Sequence, residues 1–516
     1  MIISSARRTT AYAALGIAAA LWGALIAWHY HALGLTLSHY DSRGHLVVAR
    51  RIFDSITPGW QQIGAVWLPL PHLLNAIPVQ IDFFYRTGLS AVAISIASFV
   101  VTVLAIAFIV ESLTASRTAG VVAAVIFGAN PNVLYLQATP MTEPLLLAMT
   151  TLAVALLIRD TWSAGRQPRP SNEVRLTPRT TTTNAAAGIV FALACLTRYE
   201  AWPVTIGALV CAVWARWRAG EALKNSLAHV ARIAAFPAGA VIAFSVFSRV
   251  VVGAWFVDDG FFVPENTALG HPFEAVKQIV WGVNALSGPW LVGAAGAGLA
   301  LLLAVGLLSG RGGRMLIAAS ILGTASVPWL AFLKGHPYRI RYMVPLMAAQ
   351  AIFAGVAAGY FKRWRPIALA LVAAMAIVEL RPFDQRAAMV VEAQWDRPNI
   401  GGRMPVTTYL RDHYDGTTVM ASMGSLGHYM QELSHEGFAI RDFLHEGNGD
   451  IWLNALYAPR PYAGWLLIEE KAEGGDMLAA EAREHPAFLT GYSRVSEGAG
   501  LALYRRDQNL TLNVIR

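Results

Sequence analysis

The residues of this chain best suited to do chemistry are acids and cations standing beside apolar segments. Asp41 lies in 39–74, HYDSRGHLVVARRIFDSITPGWQQIGAVWLPLPHLL, just after an apolar first segment, and Glu143 lies in Pro140-Met141-Thr142-Glu143-Pro144. A carboxylate beside a bilayer is costly unless it is paired, solvated in a cavity or at work, so each is a candidate functional group. Such groups hold hydroxyls, exchange protons or ligate a divalent cation. Each also has a structural reading. Asp41 is a good N-cap for a following helix, and Glu143 suits the positive end of a helix dipole with Pro144 in the first turn.

The cations point to an anion. Lys334, His336, Tyr338, Arg339 and Arg341, followed by Tyr342, form the densest polar cluster between apolar runs. Anchoring to lipid headgroups would explain one or two of them, and the density favours an anion site. Arg198 and Glu200 either pair with each other or leave the Arg198 guanidinium to fork onto an anion. His45 assists Asp41 or is a plain hydrogen-bonding residue. Asp258, Asp259 and Glu265 read as solvated loop acids, with contact to a substrate or metal as the alternative. His445 and Glu446 either descend onto the site or form a turn.

The elements that must position these groups are mainly membrane helices. Of 516 residues, 55% are hydrophobic and 14% charged, and the mean hydropathy is +0.46. That composition excludes an ordinary soluble protein and indicates a polytopic membrane protein. The net charge of +8 resides in short Arg and Lys clusters between apolar runs, which report topology and give no nucleic-acid face. Cys195 and Cys211 lie inside apolar runs, so no disulfide framework is expected.

Apolar runs recur near 11–33, 88–110, 119–138, 142–159, 185–198, 201–215, 233–254, 282–308, 315–333, 342–360 and 366–381. About eleven spans are therefore expected. The first, behind Arg7 and Arg8, reads as a retained helix and not a cleaved signal. With a cytoplasmic N-terminus, every inner segment is Arg- or Lys-rich, as at Arg117, Arg216, Arg311 and Arg363, which satisfies the positive-inside rule. The C-terminus is then outside. Asp41, Glu143, Arg198 to Glu200, Asp258 to Glu265 and His336 to Arg341 all fall on the outer face, although none of them was used to set the orientation.

Residues 34–87 form a long first outer loop. Leu46, Ala49, Phe53 and Ile56 recur at helical spacing, predicting an amphipathic helix over 43–56 lying in the interface. Trp60, Trp67 and Phe83 read as interfacial anchors. From about residue 382 to 516 the composition becomes that of a soluble α/β domain, with strands expected at 417–423, 465–470 and 500–504 and helices at 406–414 and 476–484. Residues 160–184 read as a polar linker.

The segments 39–45, 138–145 (ATPMTEPL), 196–202 (LTRYEAW) and 335–345 (GHPYRIRYMVP), in this order and on one face, resemble the GT-C membrane glycosyltransferases. The likeness is to the group of protein O-mannosyltransferases and aminoarabinose transferases, glycosyltransferase family 39-like. It covers most of the membrane region and implies a polyprenyl-phosphate sugar donor and a lipid, glycan or protein acceptor. Phosphate is a good leaving group, so such an enzyme mainly needs a base for the acceptor hydroxyl. One displacement through an oxocarbenium-like state inverts the anomeric carbon.

The resemblance assigns the base role to Asp41, with Glu143 beside it. It places His45, Arg198, Glu200, Lys334, His336, Tyr338, Arg339, Arg341 and Tyr342 around the substrates. No cofactor is identified by this reading, a divalent cation at the two carboxylates being left open. The membrane retains the polyprenyl tail at about 0.8 kcal/mol per buried CH₂. A lipid-linked sugar flippase or other secondary transporter is the main rival, and it predicts paired repeats and charges near mid-bilayer. Neither feature is evident in this sequence.

Overall fold

The computed structural model describes residues 2–164, 178–253, 255, 266–310, 312–472 and 475–507. It consists of a helical membrane body, a loop region of short helices and a C-terminal α/β domain.

Seven helices among the described residues are long and apolar enough to cross a membrane. They run over Thr9–Ala32, Leu89–Thr114, Glu143–Thr161, Leu223–Val252, Pro289–Leu308, Gly313–Leu333 and Ile340–Tyr360. The runs expected at 185–198, 201–215 and 366–381 are helical as Pro178–Cys195, Ala201–Arg218 and Arg365–Glu379, but they fall outside that set. The Ile340–Tyr360 and Glu143–Thr161 spans are the most enclosed, 89% and 72% buried by their neighbours. They form the centre of the body, and small residues let the helices approach: a Cβ on Gly298 would stand against the Phe353 carbonyl, and one on Gly120 against that of Ala107. Contacts of this kind pack helices where lipid offers no hydrophobic drive between them.

Two expected spans are broken, each for a local reason. The run 119–138 bends by 70° between Arg117–Gly128 and Pro131–Gln137, because Asn130 caps the second helix from its Oδ1 (to Asn132 N, 3.0 Å, and Val133 N, 3.2 Å) and Pro131 fits the first turn. The run 282–308 breaks at Gly288, whose φ of 95° favours glycine. There the Glu379 carboxylate takes the Trp290 and Leu291 amides at 2.7 and 2.8 Å.

The first loop helix spans Tyr40–Arg51, not 43–56. It packs against helix Met423–Leu433 of the C-terminal region and against helix Leu70–Asn75. Nine of its residues are buried, charged groups included, so it is a core element at a junction and not a helix with one face in water. Trp60 and Phe83 are exposed, as anchors would be, along with Leu73, Leu74, Ile77 and Ile81.

The C-terminal sheet has the order β2-β1-β3-β5-β4, with β1 Val419–Ala421, β2 Phe443–Leu444, β3 Trp465–Glu469, β4 Tyr492–Gly498 and β5 Leu501–Arg506. β1 is parallel to β2 and β3, while β5 runs antiparallel to β3 and β4. β1, β3 and β5 fall on the expected strands. β2 is too short to carry a period, and β4, with its exposed Ser493 and Arg494, lacks an apolar face. The helices Arg397–His413 and Met477–Glu484 occupy the expected helical positions, the first extended toward its N-terminus.

Candidate active site

Helix Tyr40–Arg51 begins with a cap supplied by His39, not Asp41: His39 Nδ1 accepts from Asp41 N at 3.1 Å. Burial outweighs Glu392 and pushes His39 down to about 4, so the ring is neutral and can accept there. The reading of Asp41 as the cap is thereby corrected. Its carboxylate lies in the first helical turn, is buried, and is ion-paired with Arg341 Nη1. Arg341 also reaches the Tyr342 hydroxyl through Nη2 (3.4 Å) and lies beside the Tyr40 and Tyr342 rings. Tyr342 Oη in turn meets His336 Nε2 at 3.4 Å.

A residue that the sequence did not single out supports this pair. Glu392 accepts from Ile340 N at 2.5 Å and Arg341 N at 3.4 Å, and it lies 3.9 Å from His39 Nε2. Burial alone would raise its carboxyl, but the contacts with His39, Arg341 and the Ile340 amide hold it below the usual value. Glu392 thus fixes both the segment that carries Arg341 and the residue that caps Asp41's helix. Its signal was one acid in a charged region, indistinguishable there from a surface residue.

Glu143 lies in the first turn of helix Glu143–Ala164 and is fully buried. Arg198 Nη1 stands 3.1 Å from its Oε1 without hydrogen-bond alignment, and neither Glu143 oxygen has a hydrogen-bond partner among the described residues. Arg198 forks onto Glu200 (2.8 to 3.2 Å) and donates to Thr142 Oγ1 at 3.0 Å. Of the two readings of Arg198, pairing with Glu200 is the one present. Burial opposes the charge on Arg198, but Glu143 and Glu200 hold it protonated. One guanidinium between two carboxylates leaves net negative charge there, which opposes a further anion. Tyr342 is near enough to act on Arg198 electrostatically, so this triad adjoins the Asp41 pair.

The 334–342 cluster divides. Arg341 pairs with Asp41, and Tyr342 and His336 follow it in the chain of contacts described. Arg339 is buried over the Trp395 ring at 4.6 Å. Tyr338 packs against Trp281 and Phe332, and Lys334 is exposed. Asp258, Asp259 and Glu265 lie outside the described residues.

His45, one helical turn after Asp41, is buried and hydrogen-bonded to His72, with Trp67 against both rings. Trp67 therefore packs inside the junction and is not simply an anchor. Gly44 permits this, since a Cβ there would stand 3.1 Å from the indole. His445 and Glu446 form a turn against the first loop. Glu446 takes the Ser422 hydroxyl and the Met423 amide (2.7 Å), and Gln62 reaches Gly447 O at 2.8 Å.

The C-terminal domain is fastened to helix Tyr40–Arg51 by a buried charge cluster that the sequence did not reveal. Arg43 pairs with Asp396 (2.7 Å) and Glu432 (2.9 Å), and Arg403 pairs with both acids from the other side. His428 Nε2 lies 3.6 Å from Asp396.

Asp41 and Glu143 are each faced by a guanidinium. Among the described residues no three His, Cys, Asp or Glu side chains are grouped to hold a metal ion, and the cation left open for Asp41 and Glu143 has no further side-chain donor of these types grouped with them. The arrangement can instead hold an anion at Arg341, next to a carboxylate able to accept a proton.

No protein-family model matches this chain, and no curated protein matches it by sequence. Solved structures do. ArnT from Cupriavidus metallidurans bound to undecaprenyl phosphate superposes with a TM-score of 0.57 at 13% identity, covering 97% of this chain and 99% of that one. The Archaeoglobus fulgidus oligosaccharyltransferase in the apo form gives 0.55 at 13% identity over 97% of this chain and 75% of that one. AglB from Archaeoglobus fulgidus, in complex with an inhibitory peptide and a dolichol-phosphate, gives 0.51 at 12% identity over 98% and 75%. The chain has the fold of these proteins, a polytopic helical body followed by a C-terminal domain.

Proposed function

We propose that this chain is a membrane glycosyltransferase that moves a sugar from a polyprenyl-phosphate donor to an acceptor hydroxyl. The observation that carries the reading is the buried Asp41–Arg341 pair at the junction of helical body, first loop and C-terminal domain. The fold shared with ArnT and AglB, whose structures hold undecaprenyl phosphate and a dolichol-phosphate, adds to it.

In this reading Arg341, with Tyr342 and His336 beside it, receives the donor phosphate. A carboxylate satisfied by a guanidinium is a poor proton acceptor, so the phosphate activates Asp41 by drawing Arg341 toward itself. The acceptor oxygen then attacks the anomeric carbon, the carbon–oxygen bond to phosphate breaks, and the polyprenyl phosphate leaves with the electron pair. The hydroxyl proton passes to Asp41, and a single displacement inverts the anomeric centre. Glu143, Arg198 and Glu200 form an ion-paired wall beside the sugar. The transferred group is a hexose or pentose, and the acceptor a lipid, glycan or protein.

The reading places the protein in the inner (cytoplasmic) membrane, with the N-terminus cytoplasmic, the site on the outer face and the domain after residue 381 extracytoplasmic. Positive residues at the inner loops support that orientation.

The test is transfer in reconstituted membranes from a panel of radiolabelled polyprenyl-phosphate sugars to lipid, glycan and peptide acceptors, comparing the parent with Asp41→Asn. Label transferred only by the parent is the expected result. Equal transfer by both would remove Asp41 as base, and no transfer from any donor, with a sugar lipid moved across the bilayer, would favour a flippase.

A further inference from the structure

A small cavity separates helix Tyr40–Arg51 from the Pro140–Leu145 corner, with His45, His72, Asn75, Ser95 and Thr142 among its lining residues. Most of its polar groups are already engaged. Asn75 accepts from Ser90 Oγ at 3.1 Å and Ser95 Oγ donates to Thr139 O at 2.9 Å. The two imidazoles are engaged in a way that leaves one atom over.

His72 Nδ1 lies 3.1 Å from Leu68 O, and its Nε2 lies 3.1 Å from His45 Nδ1. A carbonyl only accepts, so His72 Nδ1 carries a hydrogen. A neutral His72 then has a lone pair on Nε2, which accepts from His45 Nδ1–H, and a neutral His45 is left with an unprotonated Nε2. Burial keeps both rings neutral: it brings His72 down to about 3, with Arg51 adding to the effect, and it lowers His45 well below its ordinary value, with His72, Arg198 and His39 adding to it. Trp67, with ring centroids 4.1 Å from His45 and 5.8 Å from His72, covers the pair. His45 Nε2 has no hydrogen-bond partner among the described residues.

Thr142 supplies the complement. Its Oγ1 accepts from Arg198 Nη1, so its own proton remains to be donated. One neutral acceptor and one neutral donor in the same cavity match a hydroxyl, which gives and takes one hydrogen bond each. They match a phosphate poorly, since it needs several donors, and an ammonium poorly, since it needs several acceptors.

We infer that His72 is a positioning residue that fixes His45 as the Nδ1–H tautomer, and that His45 Nε2 with Thr142 binds a hydroxyl of the acceptor beside Asp41. The hydroxyl's identity rests on the transferase reading, whereas the tautomer and the preference for a hydroxyl do not.

The test is ¹⁵N NMR of the full chain in nanodiscs with labelled histidine, His45 being assigned by its loss in His45→Gln. The expected spectrum at neutral pH has His45 protonated at Nδ1 alone. Methyl β-glucopyranoside shifts the Nε2 resonance and methyl phosphate does not. His72→Gln, whose amide oxygen replaces the imidazole acceptor, keeps the tautomer; His72→Phe loses it, and in the transfer assay raises the acceptor KM while the donor KM holds. An Nε2–H tautomer in the parent, an unchanged tautomer in His72→Phe, or a response to methyl phosphate alone or to neither probe would overturn the inference. Absence of sugar transfer with the expected spectrum would instead sink the transferase reading and leave the hydroxyl site standing.

Discussion

The guanidinium of Arg341 is ion-paired with the carboxylate of Asp41 at the buried N-terminal turn of helix Tyr40–Arg51. The candidate base and the candidate phosphate ligand therefore neutralise each other, and a donor must separate them. Asp41→Asn keeps an oxygen for Arg341 but removes the proton acceptor. Transfer is expected to fall by at least about a hundredfold, with undecaprenyl phosphate still bound. Arg341→Lys keeps the charge and loses the fork, so it should raise the donor KM more than it lowers kcat. Initial rates in proteoliposomes over a range of donor concentrations distinguish the two, and an unchanged donor KM in Arg341→Lys would take the phosphate away from that residue.

Arg198 is held by Glu143 and Glu200, and its expected role is to neutralise a buried pair of acids. Arg198→Met leaves those acids uncompensated and should cost roughly 3–5 kcal/mol of stability, read as a lowered denaturation midpoint in detergent. Arg198→Lys should leave the donor KM unchanged. A large rise in donor KM would return a phosphate role to this position.

Asp396 joins the C-terminal domain to the first loop helix through Arg43 and Arg403. Burial pushes its carboxyl up, but the Arg403 hydrogen bonds and the His428, Arg403 and Arg43 charges outweigh it and bring it from 3.8 to about 2. A depressed folded value means stability present above the unfolded value and lost as pH falls. The attachment should therefore weaken between about pH 4 and pH 2. Asp396→Asn should remove that acid limb and cost on the order of 2 kcal/mol at pH 7, seen as earlier proteolysis around residues 382–397 and a lower unfolding midpoint.

Glu469, at the end of β3, moves the other way. Burial raises it to about 7, helped by Asp476 and Asp396 and opposed by Arg403. The native state then holds a proton that the unfolded chain releases near 4.5, so stability falls as pH rises from that value to 7. Glu469→Gln should be more stable than the parent at pH 8 and equal to it at pH 4. Unfolding midpoints at the two pH values check this, and a variant less stable at pH 8 would contradict it.

The sequence by itself determined the membrane body, three of the five C-terminal strands and two of the helices there, and polar segments that supply the Asp41–Arg341 pair and the Glu143–Arg198–Glu200 triad. It could do so because long apolar runs, period-2 strands and isolated charges beside lipid leave local signals that need no partner to be read. Tertiary structure alone decided the pairings. Asp41 faces Arg341 while Arg198 is spent on two acids, because buried charges take whichever opposite charge packing brings near. His39 caps the helix because it precedes Asp41 in space as well as in sequence, and Glu392, Arg43, Arg403 and the His45–His72 pair gain their roles only through contacts across distant segments. Broken spans at Asn130 and Gly288 belong to the same class: hydropathy averages over a turn, but one cap or one positive φ ends a helix.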